Sequence, residues 1–176
     1  MLGRFRELHD GPIVAVGVSL GGNALLRFVE EAGASAAERV RAVAAVSAPL
    51  DLAAGGRAIG RGFGRQVYTR MFMRTMKKKA LVKLRQHPGL FDAAAMRAAR
   101  DLRDFDEIFT GPLHGFAGAD DYYARSSAKG GLDRIRIPAL VLNARNDPFL
   151  PRLRYRVRDF DHLSVRKAAE ALGCTL

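Results

Sequence analysis

One stretch of the sequence has residue types and spacing suited to nucleophilic catalysis. Residues 13–18 are apolar, and Gly-Val-Ser-Leu-Gly follows at positions 17–21, ahead of a helical pattern. A Gly-x-Ser-x-Gly sequence between a strand and a helix is typical of a sharp turn that holds the serine hydroxyl clear of the sheet edge. Such a turn has little space beside it, and Gly17 and Gly21 carry no side chain. Ser19 is therefore the candidate nucleophile.

Two other interpretations fit parts of this stretch. In the first, the turn is only a glycine-rich connection, and Ser19 caps the helix that follows. In the second, the glycines form a dinucleotide-binding turn. That fingerprint requires glycine where Ser19 stands and an acidic residue at the end of a second strand about 20 positions later. The sequence has neither, so the dinucleotide interpretation is disfavoured and the helix-cap interpretation stays open.

The surrounding pattern predicts an α/β protein with a parallel sheet flanked by helices. Apolar runs at residues 13–18, 40–47 and 137–143 are typical of strands buried on both faces. Residues 22–31 carry apolar side chains at helical spacing, and Gly33 ends that pattern. A strand, a helix and a strand joined by short turns indicate a right-handed crossover with parallel pairing.

A long segment separates the second and third predicted strands. It has roughly 90 residues, whereas a parallel crossover needs only a dozen or more. Residues 68–73 and 93–102 within it have helical patterns. We therefore predict a helical cap inserted at about residues 52–132 of an incomplete domain that covers residues 1–151. Residues 152–176 form a basic tail outside this pattern.

Composition and cysteine content narrow the class of protein. No run of 18 apolar residues is present, so no transmembrane segment is predicted, and the first residues lack the apolar region of a signal peptide. The single cysteine, Cys174, excludes an internal disulfide and indicates a reducing, cytoplasmic location. The sequence predicts neither a cofactor nor a metal site.

The net charge of +11 is concentrated in two basic clusters, at residues 57–85 and 152–158. Such charge permits binding to nucleic acid or to an anionic membrane surface. Neither cluster matches a helix-turn-helix, a zinc finger or an RNA-binding sheet motif. We interpret residues 57–85 as a solvated basic face and expect no nucleic-acid partner.

Five sequence blocks, taken in order, resemble the YheT-like branch of the α/β-hydrolases, close relatives of the abhydrolase-1/3 lipid esterases. The blocks are Gly-Val-Ser-Leu-Gly-Gly-Asn-Ala-Leu-Leu at 17–26, Val-Ser-Ala-Pro-Leu-Asp-Leu at 46–52, Asp-Phe-Asp-Glu at 104–107 with Thr-Gly-Pro-Leu-His-Gly-Phe at 110–116, Asp-Tyr-Tyr at 121–123, and Asn-Asp-Pro-Phe-Leu at 146–150. The resemblance implies a partial α/β-hydrolase fold and hydrolysis of carboxylic esters. The implied substrates are small ester or lipid molecules, such as short- or medium-chain acyl esters or acylglycerols.

The resemblance also implies roles for particular residues. Ser19 corresponds to the nucleophile, the Leu20 N–H to one oxyanion-hole donor, and Asp147 to the triad acid, which follows the serine in chain order. Asp147 is alternatively a turn residue of its Asn-Asp-Pro sequence. With room for an imidazole between them, Ser19 Oγ and the Asp147 carboxylate are expected about 6–9 Å apart. Asp106 and His114 lie in matching blocks, and we interpret both as structural.

Other parts of the family pattern have no counterpart in this sequence. The family begins well upstream, with four further strands and a loop that carries the second oxyanion donor, and it ends on a Gly-Gly-His-x-Gly-Phe block that holds the catalytic histidine. The four histidines here, His9, His87, His114 and His162, lack those surroundings. We therefore expect a truncated hydrolase with impaired activity and an open sheet edge at residues 13–18. The alternatives are a non-catalytic fragment or misread reading frame and, less favoured, a basic nucleic-acid-binding protein.

Overall fold

The structure, a computed structural model, describes residues 2–60, 68–144 and 147. These residues form two compact units. The sheet unit contains the described residues up to Leu50 and those from Ser127 onward, and the helical unit contains Asp51–Ser126. The basic tail at 152–176, with His162 and Cys174, lies outside the described residues.

The sheet unit has three strands, β1 (Val14–Val18), β2 (Ala42–Val46) and β3 (Ala139–Leu142). They pair in the order β1-β2-β3, and both pairings are parallel. Helix α1 (Leu2–Leu8) precedes β1, and α2 (Leu20–Ala32) connects β1 to β2 through a 3-10 segment. The predicted α/β class with a parallel sheet is therefore confirmed, and the architecture is that of a partial α/β-hydrolase fold.

One face of the sheet packs against α2. Leu26 and Val29 of α2 are fully buried in a cluster that includes Val43 and Ala45 of β2. The predicted burial of both faces is wrong for β1, where Val16 is 65% exposed. The reason is that β1 pairs only with β2 in the described part of the chain, and α2 covers only one of its faces.

The helical unit consists of short helices around two apolar clusters. Its helices are α3 (Leu52–Ile59), α4 (Arg70–Gln86), α5 (Ala93–Ala98), α6 (Leu102–Phe105), a π-helical turn (Asp106–Thr110), α7 (Gly111–Leu113) and α8 (Ala119–Ser126). The predicted helix at 93–102 is interrupted at residues 99–101, because the Asp101 side chain accepts the N–H of Asp104 and so starts a new helix. No helix in the described ranges is long and apolar enough to cross a membrane.

Residues 127–132, predicted as part of the cap insertion, belong to the sheet unit. Ala128 is fully buried there, and its N–H donates to Asn23 Oδ1 at 2.9 Å. The N–H of Lys129 donates to Leu50 O at 3.0 Å. The chain therefore returns to the sheet earlier than the pattern of the sequence indicated.

Candidate active site

Ser19 occupies the one-residue turn between β1 and α2. Its backbone angles are φ 53° and ψ −127°, a region that residues with a side chain rarely adopt and that costs about 1–3 kcal/mol. Neighbouring backbone groups hold the turn: the Ser19 N–H donates to Val46 O, and Ser19 O accepts the N–H of Gly22, each at 2.9 Å. The sharp turn that the sequence predicts at Ser19 is confirmed, and its φ is positive.

The space around the turn is set by glycines. A Cβ at Gly17 would lie 2.5 Å from the carbonyl oxygen of Gly21, and a Cβ at Gly22 would lie 2.9 Å from Gly17 O and Ala48 Cβ. A Cβ at Gly21 would meet nothing within 4 Å. The predicted need for a residue without a side chain is thus right at Gly17 but wrong at Gly21. The second restricted position is Gly22, where α2 crosses closely over the sheet.

The side chain of Ser19 stays available for chemistry. Ser19 is exposed, and its hydroxyl makes no capping hydrogen bond to α2. Ser19 therefore occupies the N-cap position of α2, but its side chain does not cap the helix. Leu20 is the first residue of α2, so its N–H belongs to the initial helical N–H groups that have no intrahelical acceptor. The positive end of the helix dipole also lies at this turn.

The carboxyl ends of the three strands are tied together beside Ser19. Ser47, directly after β2, also has a positive φ of 48°, and its N–H donates to Leu142 O at 2.8 Å. Asn143, directly after β3, accepts the Ala48 N–H at 2.9 Å and donates to Ala48 O at 3.1 Å. Neither Ser47 nor Asn143 is among the candidate residues predicted from the sequence. The available signal was the polar residue that ends the predicted strands at 40–47 and 137–143.

Asp147 follows the carboxyl end of β3. Because the strands are parallel, this is the sheet edge at which Ser19 also lies. The Asp147 N–H donates to Ala144 O at 3.2 Å, and the side chain is partly buried. The expected separation of about 6–9 Å between Ser19 Oγ and the Asp147 carboxylate stays a prediction.

Two buried polar side chains anchor α2 to the segment before β3. Near its start, Asn23 accepts the N–H of Ala128. Near its end, the buried Glu30 accepts a hydrogen bond from Arg134 Nη2 at 2.7 Å and also pairs with Arg27. Both interactions bridge more than 100 residues of sequence. They hold the helix that follows Ser19 against the segment that leads into β3.

The described histidines differ in their surroundings. His9 Nδ1 accepts the N–H of Gly11 at 3.0 Å, and His9 precedes β1, at the opposite end of that strand from Ser19. His87 and His114 are exposed in the helical unit, and His162 lies outside the described residues. Within the described ranges no group of three or more His, Cys, Asp or Glu residues is arranged to hold a metal ion.

The acidic side chains of Asp106 and Glu107 in the helical unit form structural hydrogen bonds. Asp106 Oδ2 accepts the Tyr123 hydroxyl at 2.7 Å, and Glu107 Oε2 accepts the N–H of Ala119 at 2.8 Å. Burial raises the pKa of the Asp106 carboxyl, against the opposite effect of hydrogen bonds from Thr110 and Tyr123. Burial and the bond to Asp106 raise the pKa of Tyr123 as well. The structural role predicted for Asp106 is confirmed.

The chain is similar to several hydrolytic enzymes. YheT of Escherichia coli strain K12, which is named as an esterase, is 39% identical over 147 residues, which cover 82% of this chain and 42% of that protein. Phospholipase ABHD3 of Mus musculus is 30% identical over 148 residues, covering 82% and 35%. Monoacylglycerol lipase of Saccharomyces cerevisiae is 27% identical over 141 residues, covering 77% and 31%.

These similarities extend over most of this chain but over less than half of each relative. No protein-family model and no solved structure matches the chain. The parallel sheet and the strained serine turn fit the relationship that the names of the relatives indicate. The chain is therefore related to the α/β-hydrolases over the part of them that it matches.

Proposed function

We propose that this chain carries the nucleophile of a carboxylic ester hydrolase, with Ser19 as the nucleophile. The observation that carries the proposal is the turn at Ser19, where a strained backbone presents an exposed hydroxyl at the start of a 13-residue helix. Strain of this kind persists only where the surrounding structure imposes it, and it clusters at functional sites. The names of the relatives support ester or lipid substrates.

The proposed mechanism is acyl transfer. Ser19 Oγ attacks the ester carbonyl carbon as its proton passes to a base, and the carbonyl oxygen becomes an oxyanion. The Leu20 N–H donates to that oxyanion, assisted by the positive end of α2. Asp147 is the proposed acid that orients the imidazolium of the base, and its place on the same sheet edge as Ser19 supports this role.

The general base that would accept the Ser19 proton is not identified among the residues of this chain. None of its four histidines has the sequence surroundings of the family's catalytic histidine. General-base assistance contributes about 10²–10⁴-fold to such reactions. We therefore propose that the 176-residue chain alone hydrolyses esters slowly. The interpretation of the helical segment as an insertion and a cytoplasmic location, suggested by the single cysteine, belong to the same proposal.

The test is covalent labelling of the purified chain with a fluorophosphonate, followed by peptide mapping. Weak labelling at Ser19 is expected, lost in Ser19→Ala. The matched control is Ser47→Ala, which removes a second serine with a positive φ and is expected to keep the label. Absence of any label at Ser19 would contradict the nucleophile assignment and favour a non-catalytic fragment.

A second measurement tests the missing base. Hydrolysis of a p-nitrophenyl ester by the chain is expected to be slow and to increase when free imidazole is added, in a manner that requires Ser19. Fast hydrolysis that depends on Ser19 without imidazole would contradict the proposed impairment. His114, which lies in a block that resembles the family, would then be the first histidine to replace.

A further inference from the structure

The sheet has an apolar face on the side away from α2. Side chains alternate along a strand, so Val16 and Val18 of β1 lie on the face opposite to Ala15, which packs against the core cluster under α2. The strand register places Leu140 and Leu142 of β3 on the same face as the two valines. Val16, Val18 and Leu142 are 65%, 64% and 58% exposed. This face of the sheet therefore presents large aliphatic side chains from both outer strands.

The middle of this face is lower than its two sides. In the register of the sheet, Val16 and Leu140 lie on either side of Ala44, and Ala42 precedes Ala44 in the same central row. Both alanines are buried between the larger side chains. At about 3.3 Å per residue, the strand Val14–Val18 spans roughly 13 Å. The face is thus a short apolar groove along the central strand, with the width that small residues between large ones leave for one helix.

A segment of the tail, outside the described residues, has a sequence that fits this groove. Residues 165–172 carry four apolar side chains at the spacing of one helix side, i, i+3, i+4 and i+7. These are Val165, Ala168, Ala169 and Leu172. The charged residues of the segment fall on the opposite side, and Ser164 before it and Gly173 after it are typical of the start and the end of a helix. Such a helix would be about 12 Å long, close to the length of the strands.

We propose that residues 165–172 form a helix that covers this face of the sheet, with its apolar side in the groove over Ala44. An isolated helix of this length is marginal in water, so it requires an apolar surface to pack against. All positions of the strands that share this face are alanine, valine or leucine, so the chemistry of the face favours an apolar occupant over a charged one. The proposal does not depend on the role of Ser19.

The covalent connection favours this segment over a second copy of the chain. Residues 148–164 join Asp147, which follows β3, to Val165. A connection of this length spans on the order of 20–25 Å, which exceeds the length of the strands that the helix has to cover. A tethered segment acts at an effective concentration in the millimolar range, far above that of a second copy in dilute solution. Two groups that bind equally well would therefore meet within one chain first.

Chemical cross-linking of the full chain tests where residues 165–172 lie. In a Cys174→Ser background, Val16→Cys with Ala169→Cys places one thiol on the sheet face and one on the apolar side of the proposed helix. A short bismaleimide is expected to join these thiols within one chain in dilute solution. The matched control is Val16→Cys with Glu170→Cys, because Glu170 is on the charged side of the segment and should cross-link several-fold less.

The cross-linked products are separated by gel electrophoresis and identified by mass spectrometry. Equal yields from the two cysteine pairs would show that the segment has no preferred side, and the proposal would fail. A product that joins two chains would assign the face to a second copy and would equally overturn the proposal. No product from either pair would show that the segment does not lie on this face.

Urea denaturation of two single variants tests whether this contact contributes to folding. Leu172→Gln removes a large apolar side chain from the proposed contact and should lower the equilibrium constant for folding by about tenfold. Glu170→Gln changes the charged side of the same segment and should leave that constant unchanged. The core under α2 is untouched in both variants, so both chains are expected to fold. The same equilibrium constant for Leu172→Gln and Glu170→Gln would contradict the proposed packing.

Discussion

Each of the two units of this protein is stabilised internally by a different kind of contact. In the sheet unit, backbone groups approach closely: Gly17 and Gly22 let α2 cross the sheet, and the strand ends bond directly to one another. In the helical unit, side-chain hydrogen bonds provide the contacts. The Tyr123 hydroxyl donates to Asp106, and aspartate side chains cap α5 and α6. The geometry around Ser19 is therefore set by close approach of backbone groups. Few substitutions of side chains can change it without disturbing the backbone.

Gly17→Ala is expected to have the largest effect on stability. The added methyl would lie 2.5 Å from the Gly21 backbone, which cannot move without displacing the Ser19 turn. We expect the free energy of unfolding to fall by about 3 kcal/mol, measured by urea denaturation. Gly21→Ala is the matched control, because its methyl meets nothing within 4 Å. If the two variants lost equal stability, the close approach of backbone groups at Gly17 would not be what stabilises the sheet unit.

Asn143→Ala tests the tie between the ends of β2 and β3. It removes both hydrogen bonds to Ala48 and leaves two partly buried backbone groups without partners. The expected cost is about 2 kcal/mol by urea denaturation. A cost within about 0.5 kcal/mol, as for an ordinary surface substitution, would show that this side chain does not hold the strand ends.

Asp106→Asn tests the side-chain contacts of the helical unit through their pH dependence. Because burial raises the pKa of Asp106 above 3.8, its folded form binds a proton more tightly than its unfolded form. That contribution to stability is present below about pH 4 and is lost as pH rises through the higher pKa. Relative to the unaltered chain, Asp106→Asn should therefore become more stable as pH rises.

Urea denaturation of both chains at pH 4 and pH 7 measures this effect. Taking the difference between the two chains cancels other groups, including Asp104 and Asp121, whose pKa values are lowered by the N–H groups of Arg100 and Ala117. Asparagine keeps an acceptor for the Tyr123 hydroxyl, so packing is retained. A difference that is constant with pH would show that the environment of Asp106 does not favour its protonated form.

The sequence predicts the sheet unit better than the helical unit for a local reason. Buried strands and the Ser19 turn depend on short apolar runs and on glycine spacing, which are visible within about ten residues. The helix predicted at 93–102 breaks because the Asp101 side chain caps a new helix. Such a local side-chain hydrogen bond competes with continuation of the first helix at a similar free energy. The exposure of Val16 depends on which elements cover β1, and no local pattern contains that information.

The sequence by itself determined the α/β class, the parallel pairing and the position of the strained serine, because each depends on residues adjacent in the chain. Only the tertiary structure decided that Gly22 rather than Gly21 faces the sheet, and that Asn143 binds Ala48. It also decided that Asn23 and Glu30 hold the segment before β3. These contacts join residues about 95–105 positions apart, and they form only when packing brings distant polar groups out of water together.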